Sequence, residues 1–312
     1  MTIAICIKIN DGVVLASDSA STIFGQGPEG QLAALNVYNN ANKIFNLRKG
    51  LPIGAITWGA GSIGHSSIST IIKDLRQRLA GDDPEHMDWK VKPDAYTVEQ
   101  VANRLKEFVY DDLYETEYKD LPHKKPNLGF IVTGYSSRAS MADEFQIDIQ
   151  NGLCTGPRRL RKPEESGITW SGEPEALNRL ILGQSPALAT LLQAQLGVQP
   201  AQMAQALANV LPQLQLPLVF PAMPLQDAID LAEFMVDLTV KFSRFKPGAP
   251  TVGGPIEVAA ISKHEGFRWI QRKYYFRREL NPEDGFEPQF AAEKSGPDVS
   301  HTEKTSEEEK HA

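Results

Sequence analysis

Thr2 is the strongest candidate for a catalytic residue, because it becomes the N-terminal residue of the chain once Met1 is removed. Hydrolysis of an amide near neutral pH needs a nucleophile, a base and a group that stabilises the oxyanion. A terminal threonine supplies two of these: its hydroxyl attacks, and its own α-amine, which titrates near neutral pH, takes the proton. A small second residue is the kind that permits removal of the initiator methionine. The position of Thr2 therefore indicates acyl transfer without a histidine.

Other reactive groups are weaker candidates. The six histidines do not cluster at the spacing of metal ligands, so we expect no metal site. Residues 59–64 read GxGxxG after a predicted strand, but no parallel βαβ pattern surrounds them, and a dinucleotide site is not favoured. Cys6 lies on the small-residue face of a predicted strand and is expected to be packed rather than reactive. No cofactor is expected.

The segment that follows Thr2 predicts the element that must position it. Isoleucines occupy every odd position from Ile3 to Ile9, while smaller or polar residues occupy the even ones, as in a strand with one strongly apolar face. Residues 10–12 supply turn residues that tolerate positive φ. Residues 13–16 are continuously apolar, which is typical of a buried strand. The chain is therefore predicted to open with a β-hairpin that begins at Thr2.

Strands and helices alternate in blocks along the remaining chain. The pattern predicts strands at 43–47, 53–58, 128–134, 144–149, 153–160, 168–170, 256–262 and 267–275. It predicts helices at 68–79 with a stop at Gly81, at 98–109 with a capping box from Thr97 and Gln100, at 174–182 and at 225–242. Residues 24–36 are rich in glycine, glutamine and small residues and are interpreted as a loop. This order predicts an α+β fold with helices layered on antiparallel sheet.

Two segments depart from the body of the chain. Residues 184–221 are rich in alanine, leucine and glutamine with interspersed prolines, and predict an inserted pair of short helices, with a mobile loop as the alternative. Residues 286–312 are rich in glutamate, lysine and serine without apolar periodicity, and predict a disordered charged tail. Residues 1–285 are expected to form one domain.

Composition and charge indicate which partners and which cellular compartment to expect. The chain has 312 residues, of which 41% are hydrophobic and 23% charged, as in an ordinary globular protein. Its formal net charge of −7 argues against nucleic acid as a partner. The two cysteines, Cys6 and Cys154, favour a reducing compartment. The N-terminus lacks the pattern of a signal peptide, and no stretch approaches the ~20 apolar residues of a membrane helix. A cytoplasmic protein without a membrane partner is expected.

Several segments together resemble the proteasome β-subunit family of N-terminal-nucleophile (Ntn) hydrolases and its bacterial relatives. The matching segments are Thr2–Ile5, Asp11–Asp18, Asn42–Phe45, Thr57–Gly59, Ser171–Gly172 and Gly253–Val258. They span residues 2 to 275, and the first sixty residues are the most specific part. The resemblance implies a four-layer αββα sandwich, here with a helical insertion, in which two antiparallel sheets pack face to face between helices. It also implies a threonine peptidase that assembles into homo-oligomeric rings or helical rings and acts on unfolded polypeptide.

The same resemblance assigns roles to the catalytic residues beside Thr2. Asp18, sixteen residues after the nucleophile, corresponds to the active-site aspartate, and Lys43 to the active-site lysine. An ammonium near Thr2 would lower the pKa of its hydroxyl and amine. Gly59 corresponds to the glycine whose N–H forms the oxyanion hole, and Ser171 to the serine that helps relay the proton of the amine.

The substrate-binding residues also follow from the resemblance. Ser21 and Thr22 lie on the segment that binds the substrate backbone in the family. Thr57 occupies a position that shapes the specificity pocket in relatives.

One departure from the family pattern motivates two alternatives. The family has an aspartate and a serine just before the paired glycines of the late loop, where this chain has Ala249 and Val252. Neither side chain can hydrogen-bond, although Thr251 could partly substitute. A non-catalytic subunit that keeps the fold for assembly is therefore one alternative, and an Ntn amidase acting on small amides is another.

Overall fold

The structure is a computed structural model that describes residues 2–26, 32–121, 125–197 and 199–274. It is a mixed α and β fold with several antiparallel sheets. Met1–Lys273 forms one compact unit and Tyr274–Ala312 a second, in which only Tyr274 is described. The predicted disordered tail, 286–312, lies outside the described residues.

The strands are β1 (Ile3–Ile9), β2 (Gly12–Ser17), β3 (Ser21–Gln26), β4 (Leu32–Tyr38), β5 (Ile44–Asn46), β6 (Ile53–Gly59), β7 (Ser62–Ile63), β8 (Ser66–Ser67), β9 (Leu128–Gly134), β10 (Asp143–Gln150), β11 (Leu153–Arg159), β12 (Gly167–Gly172), β13 (Glu257–Ser262) and β14 (Gly266–Gln271). The α-helices are α1 (Ile68–Ala80), α2 (Val98–Lys106), α3 (Glu115–Tyr118), α4 (Glu175–Ile181), α5 (Leu188–Leu196), α6 (Pro200–Leu214) and α7 (Leu225–Phe245). A 3₁₀ segment at Pro84–Trp89 and a π-helical turn at Glu107–Tyr114 complete the helical elements.

Two five-stranded antiparallel sheets form the centre of the fold. The first has the order β12-β1-β2-β13-β14, and the second has the order β11-β10-β9-β6-β5. Strand β1 is thus paired on both sides, with Ile5 opposite Ala16 of β2 and opposite Trp170 of β12. The two-stranded ribbons β3–β4 and β7–β8 stand apart from these sheets. A central, doubly paired β1 holds the backbone after Thr2 rigidly in register.

Three apolar clusters divide the interior. The odd-numbered isoleucines of β1 pack with α7 residues such as Ala232 and Met235 on one face of the first sheet. On its other face, Ala4 of β1 packs with residues of the second sheet such as Ile56 and Ile131. A third cluster joins the far face of the second sheet to helices α1 and α2. Each sheet therefore buries both faces, which explains why every residue of β1 is buried, including its polar Lys8.

Most predicted elements are confirmed with small shifts at their ends. Gly81 ends α1 with a left-handed conformation (φ 79°), and Thr97 with Gln100 forms both bonds of the capping box of α2. The inserted segment 184–221 contains the predicted pair of helices, α5 and α6, rather than a mobile loop.

The prediction of a loop at residues 24–36 is wrong at 24–26 and 32–36, whereas residues 27–31 lie outside the described residues. Ser21–Gln26 and Leu32–Tyr38 form the antiparallel ribbon β3–β4, with a bulge between Ile23 and Phe24. Gly25, Ala33 and Ala34 weaken the local strand pattern next to the turn, and the antiparallel pairing forms the ribbon in spite of them. The described residues contain no helix with both the length and the apolar character to cross a bilayer.

Candidate active site

Thr2 lies immediately before β1, at the N-terminal end of this doubly paired strand of the first sheet. Its carbonyl accepts a hydrogen bond of 2.7 Å from the N–H of Glu173, which follows β12. Gly172 makes this approach possible: it has φ 101°, and a Cβ atom there would lie 1.8 Å from the Thr2 carbonyl oxygen. Only glycine fits such contact with the neighbouring backbone. In the chain that still carries Met1, Thr2 is 5% exposed.

The Asp18 carboxylate is fully buried at the end of β2 and accepts four hydrogen bonds. Its Oδ1 accepts from the N–H of Ile3 at 3.0 Å and from Lys43 Nζ at 2.6 Å. Its Oδ2 accepts from the N–H groups of Ala20 and Gly253, both at 3.0 Å. One oxygen therefore joins the amide that follows Thr2 to the ammonium of Lys43.

Lys43 reaches this carboxylate from the second sheet, where it immediately precedes β5. Its carbonyl accepts a hydrogen bond of 2.9 Å from the N–H of Thr57, which fixes its backbone against β6. Its side chain is 6% exposed. Burial lowers the pKa of Lys43 from its usual value, and the Asp18 carboxylate opposes that shift. The ion pair thus links the two sheets and places a positive charge on the same Asp18 oxygen that accepts from the amide following Thr2.

Gly59 ends β6 with φ 93°, and a Cβ atom there would lie 2.3 Å from the Asn127 carbonyl oxygen. Along β6, the N–H of Thr57 points to the Lys43 edge, whereas the N–H of Ala60 donates to Asn127 on the β9 side. Since N–H groups alternate along a strand, the N–H of Gly59 is directed to the Lys43 edge. It is therefore oriented toward the space beside Lys43.

Ser171 shares a sheet face with Thr2. It lies opposite Ala4 in the β1–β12 pairing, and directly opposed residues project to the same side. Ala4 faces the second sheet, and Thr2, two residues earlier, takes the same side of the strand. Ser171 is therefore grouped with Thr2 between the sheets.

The three residues predicted to bind substrate, Ser21, Thr22 and Thr57, lie in two different parts of the fold. Ser21 begins β3 and lies beside the loop after β6, since a Cβ atom on Gly61 would be 3.3 Å from Ser21 Oγ. Thr22 follows on β3 and pairs with Val37. Thr57 is 4% exposed and its hydroxyl donates to the Gly129 carbonyl at 2.9 Å. Ser21 thus lies beside the loop that follows Gly59, Thr22 pairs within the β3–β4 ribbon, and the Thr57 hydroxyl is engaged inside the second sheet.

The late loop carries apolar side chains at Ala249 and Val252 and a hydroxyl at Thr251. Val252 is 2% exposed and packs into the apolar cluster beneath α7. Thr251 is 5% exposed and, with Ala249 and Glu173, lines a pocket of about 240 Å³. Glu173 brings a carboxylate to this pocket, 3.4 Å from Lys246 Nζ. A charged pair therefore lines the same pocket as Ala249 and Thr251, and the backbone of Glu173 contacts the Thr2 carbonyl.

Sequence reasoning missed Glu173, Glu257 and Lys273. Glu173 directly follows the motif residues Ser171 and Gly172, and that adjacency was the available signal. Glu257 and Lys273 form a buried ion pair of 2.7 Å near Asp18 and Lys43. The sequence around Lys273 carries no comparable signal, because its partners are remote in the chain. Within the part of the chain that the structure describes, no three metal-ligating side chains come together.

No protein-family model matches this chain. No curated protein matches it either. The assignment of function therefore depends on the motifs and on the geometry described above.

Proposed function

We propose that this chain is a proteasome β-subunit-like threonine peptidase of the four-layer αββα Ntn fold, with Thr2 as nucleophile after Met1 is removed. The observation that carries the proposal is the shared Asp18 oxygen, which accepts hydrogen bonds from both the Ile3 amide and the Lys43 ammonium. An aspartate that only caps a turn does not need a buried lysine from another sheet. A lysine fixed beside a terminal amine is what this chemistry requires.

The layered arrangement is supported by the three apolar clusters. One cluster lies between the two sheets, and each of the other two covers an outer sheet face with helices. This order corresponds to helix, sheet, sheet and helix, with α5 and α6 as the inserted pair.

In the proposed reaction, Thr2 Oγ attacks the carbonyl carbon of a peptide bond while the Thr2 amine accepts the hydroxyl proton. The N–H of Gly59 donates to the oxyanion of the tetrahedral intermediate. The C–N bond then breaks, the leaving amine takes the proton, and an ester links the acyl group to Thr2. Water, deprotonated by the same amine, hydrolyses this ester and regenerates the hydroxyl. The charge of Lys43 lowers the pKa of the Thr2 amine, so that it is neutral and able to act as the base.

Two further parts of the proposal concern assembly and location. We propose a homo-oligomeric ring or helical ring in the cytoplasm, with unfolded polypeptide as substrate. A molar-mass measurement in solution tests the first part, since a monomer at micromolar concentration would contradict it.

A non-catalytic assembly subunit is the second candidate, and it is favoured by the late loop. Val252 contributes apolar packing rather than a hydrogen bond, and Ala249 has no polar side chain. This candidate predicts the same fold and the same oligomer without peptide hydrolysis.

Peptide hydrolysis by matched variants separates the two candidates. The wild-type chain, Thr2→Ser, Thr2→Ala and the control Thr155→Ala on exposed β11 are incubated with a panel of fluorogenic peptides and small amides. We expect turnover by the wild type and the control, reduced turnover by Thr2→Ser and none by Thr2→Ala. Equal turnover by Thr2→Ala would refute the nucleophile, hydrolysis of small amides alone would favour an amidase, and no turnover by any variant would favour the assembly subunit.

A further inference from the structure

Lys273 follows β14 and is surrounded by three oxygens from three different segments. Its Nζ donates to Ser19 Oγ at 2.8 Å and to the Ala41 carbonyl at 2.9 Å. Its Nζ also lies 2.7 Å from Glu257 Oε2, and the two side chains are 8% and 1% exposed. This last contact is an ion pair between two buried side chains.

Each partner of Lys273 adjoins a residue of the proposed site. Ser19 directly follows Asp18, its N–H donates to Gly253 at 2.9 Å, and its hydroxyl donates to the Pro255 carbonyl at 2.6 Å. Ala41 lies two residues before Lys43, and its N–H donates to the Ser19 carbonyl at 2.9 Å. Lys273 therefore holds the segment that carries Asp18 against the segment that carries Lys43.

Glu257 completes this attachment from β13. It pairs with Ser17 in the β2–β13 register, one residue before Asp18. Since Glu257 is almost fully buried, its carboxylate needs a cation nearby, and Lys273 supplies it. The ion pair is thus built into the same strand ends that present the Asp18 carboxylate.

We infer that Lys273 is a positioning residue of the Thr2 site, which sets the distance between Asp18 and Lys43 by bridging Ser19 to Ala41. This inference rests on the function proposed above for that site. It assigns Lys273 no contact with substrate. The bridge fixes two segments that also meet through the Asp18–Lys43 pair and through the backbone hydrogen bond from Ala41 to Ser19.

Lys273 also contributes charge to the site. The charged groups that act on Lys43 are Asp18, Glu257 and Lys273, and Arg272 adds positive charge next to Lys273. Burial lowers the pKa of Lys43 most strongly, Asp18 and Glu257 oppose this, and Lys273 adds to the lowering. Removal of Lys273 alone should therefore raise the pKa of Lys43. Removal of Lys273 with Glu257 takes away opposite charges and should change that pKa less.

The experiment uses the full-length chain as Lys273→Met, Lys273→Arg and the double variant Lys273→Met with Glu257→Gln. Lys241→Met is the control, because Lys241 is an exposed lysine of α7 paired with Asp237. The first readout is the rate at which a peptide epoxyketone labels Thr2. The second is the pKa of Lys43, from the pH dependence of its ¹³Cε chemical shift. Circular dichroism verifies folding.

We expect Lys273→Met to slow labelling on the order of tenfold to a hundredfold, as for misplacement of a catalytic group by about 1 Å. We also expect it to raise the pKa of Lys43. The double variant should label slowly while its Lys43 titrates near the wild-type value, and Lys241→Met should match the wild type in both. Lys273→Arg, which keeps the charge and the donors, should label faster than Lys273→Met.

Two results would overturn the inference: wild-type labelling by folded Lys273→Met, or an unchanged Lys43 titration in that variant. If Lys273→Met does not fold, the double variant and Lys273→Arg test the inference by the rate of Thr2 labelling and the pKa of Lys43. If the wild type itself is not labelled, the proposed function fails, whereas the Lys43 titration still decides whether Lys273 acts on this lysine.

Discussion

The substitution Asp18→Asn removes the negative charge that pairs with Lys43. It should greatly reduce the free energy of unfolding. The Asp18 carboxylate is fully buried and accepts hydrogen bonds from Lys43 Nζ and from the backbone N–H groups of Ile3, Ala20 and Gly253. Leaving the Lys43 ammonium buried without its partner costs about 3–5 kcal/mol. The amide NH₂ of asparagine would also face a backbone donor, which costs about 1–3 kcal/mol.

The lower ends of these two ranges together give a loss of about 4 kcal/mol in the free energy of unfolding. Urea unfolding followed by circular dichroism measures this loss. Lys43→Met and the double variant complete a thermodynamic cycle, in which removal of both charges should cost less than the two single losses added. The coupling energy should reach at least about 2 kcal/mol.

The control is Asp237→Asn, which breaks the exposed ion pair between Asp237 and Lys241 on α7. This substitution should cost less than about 0.5 kcal/mol, because exposed ion pairs contribute little. A loss below about 1 kcal/mol for Asp18→Asn, or additive losses in the cycle, would refute the reasoning about a buried, mutually dependent pair.

Three further outcomes follow from the structure. Gly172→Ala should displace Thr2, because a Cβ atom would lie 1.8 Å from the Thr2 carbonyl oxygen, and a fall in melting temperature of several degrees together with slower labelling of Thr2 would show it. Thr97→Ala removes the N-cap of α2, so urea unfolding should show a loss of about 1 kcal/mol without a change in Thr2 labelling. Burial lowers the pKa of Lys43 in the folded protein below its pKa in the unfolded chain. At a pH below the folded-state pKa, the buried charge of Lys43 reduces the stability of the fold. This reduction disappears as the pH rises from the folded-state pKa to the unfolded-state pKa. The stability of the wild type relative to Lys43→Met should therefore increase with pH in that alkaline window, as measured by urea unfolding at a series of pH values.

Each of these outcomes has a contrary result. Unchanged melting and labelling in Gly172→Ala would contradict the close approach of β12 to Thr2. Reduced Thr2 labelling in Thr97→Ala would show that α2 and the site are not independent. A relative stability that falls with pH would show that the pKa of Lys43 is raised rather than lowered.

Short-range patterns account for the parts of the fold that the sequence predicts well. The alternation from Ile3 to Ile9 has the period of a strand, and Gly81 and Thr97 carry the signals that end and begin helices, so these elements follow from neighbouring residues. The ribbon β3–β4 departs from the prediction because Gly25, Ala33 and Ala34 interrupt its local strand pattern, while the pairing across the ribbon is not visible in neighbouring residues.

In the candidate site, too, some residues are recognisable from neighbouring sequence and others only from contacts remote in the chain. Thr2, Asp18 and Lys43 carry recognisable motifs, whereas the bond from Lys273 to Ser19 joins residues 254 positions apart. No local pattern encodes such a contact, because β14 reaches Asp18 only through the order of strands in the first sheet. The buried state of Val252 likewise depends on where α7 packs, not on the residues next to it.

The central claim is that a freed Thr2 is the reacting residue, and mass spectrometry after treatment with a peptide epoxyketone tests it most directly. This reagent needs a hydroxyl and an adjacent free amine on one residue. We expect the intact mass to lack Met1 and the adduct to map to Thr2, with no adduct in Thr2→Ala. Retention of Met1 in the mature chain, or an adduct on any other residue, would contradict the claim.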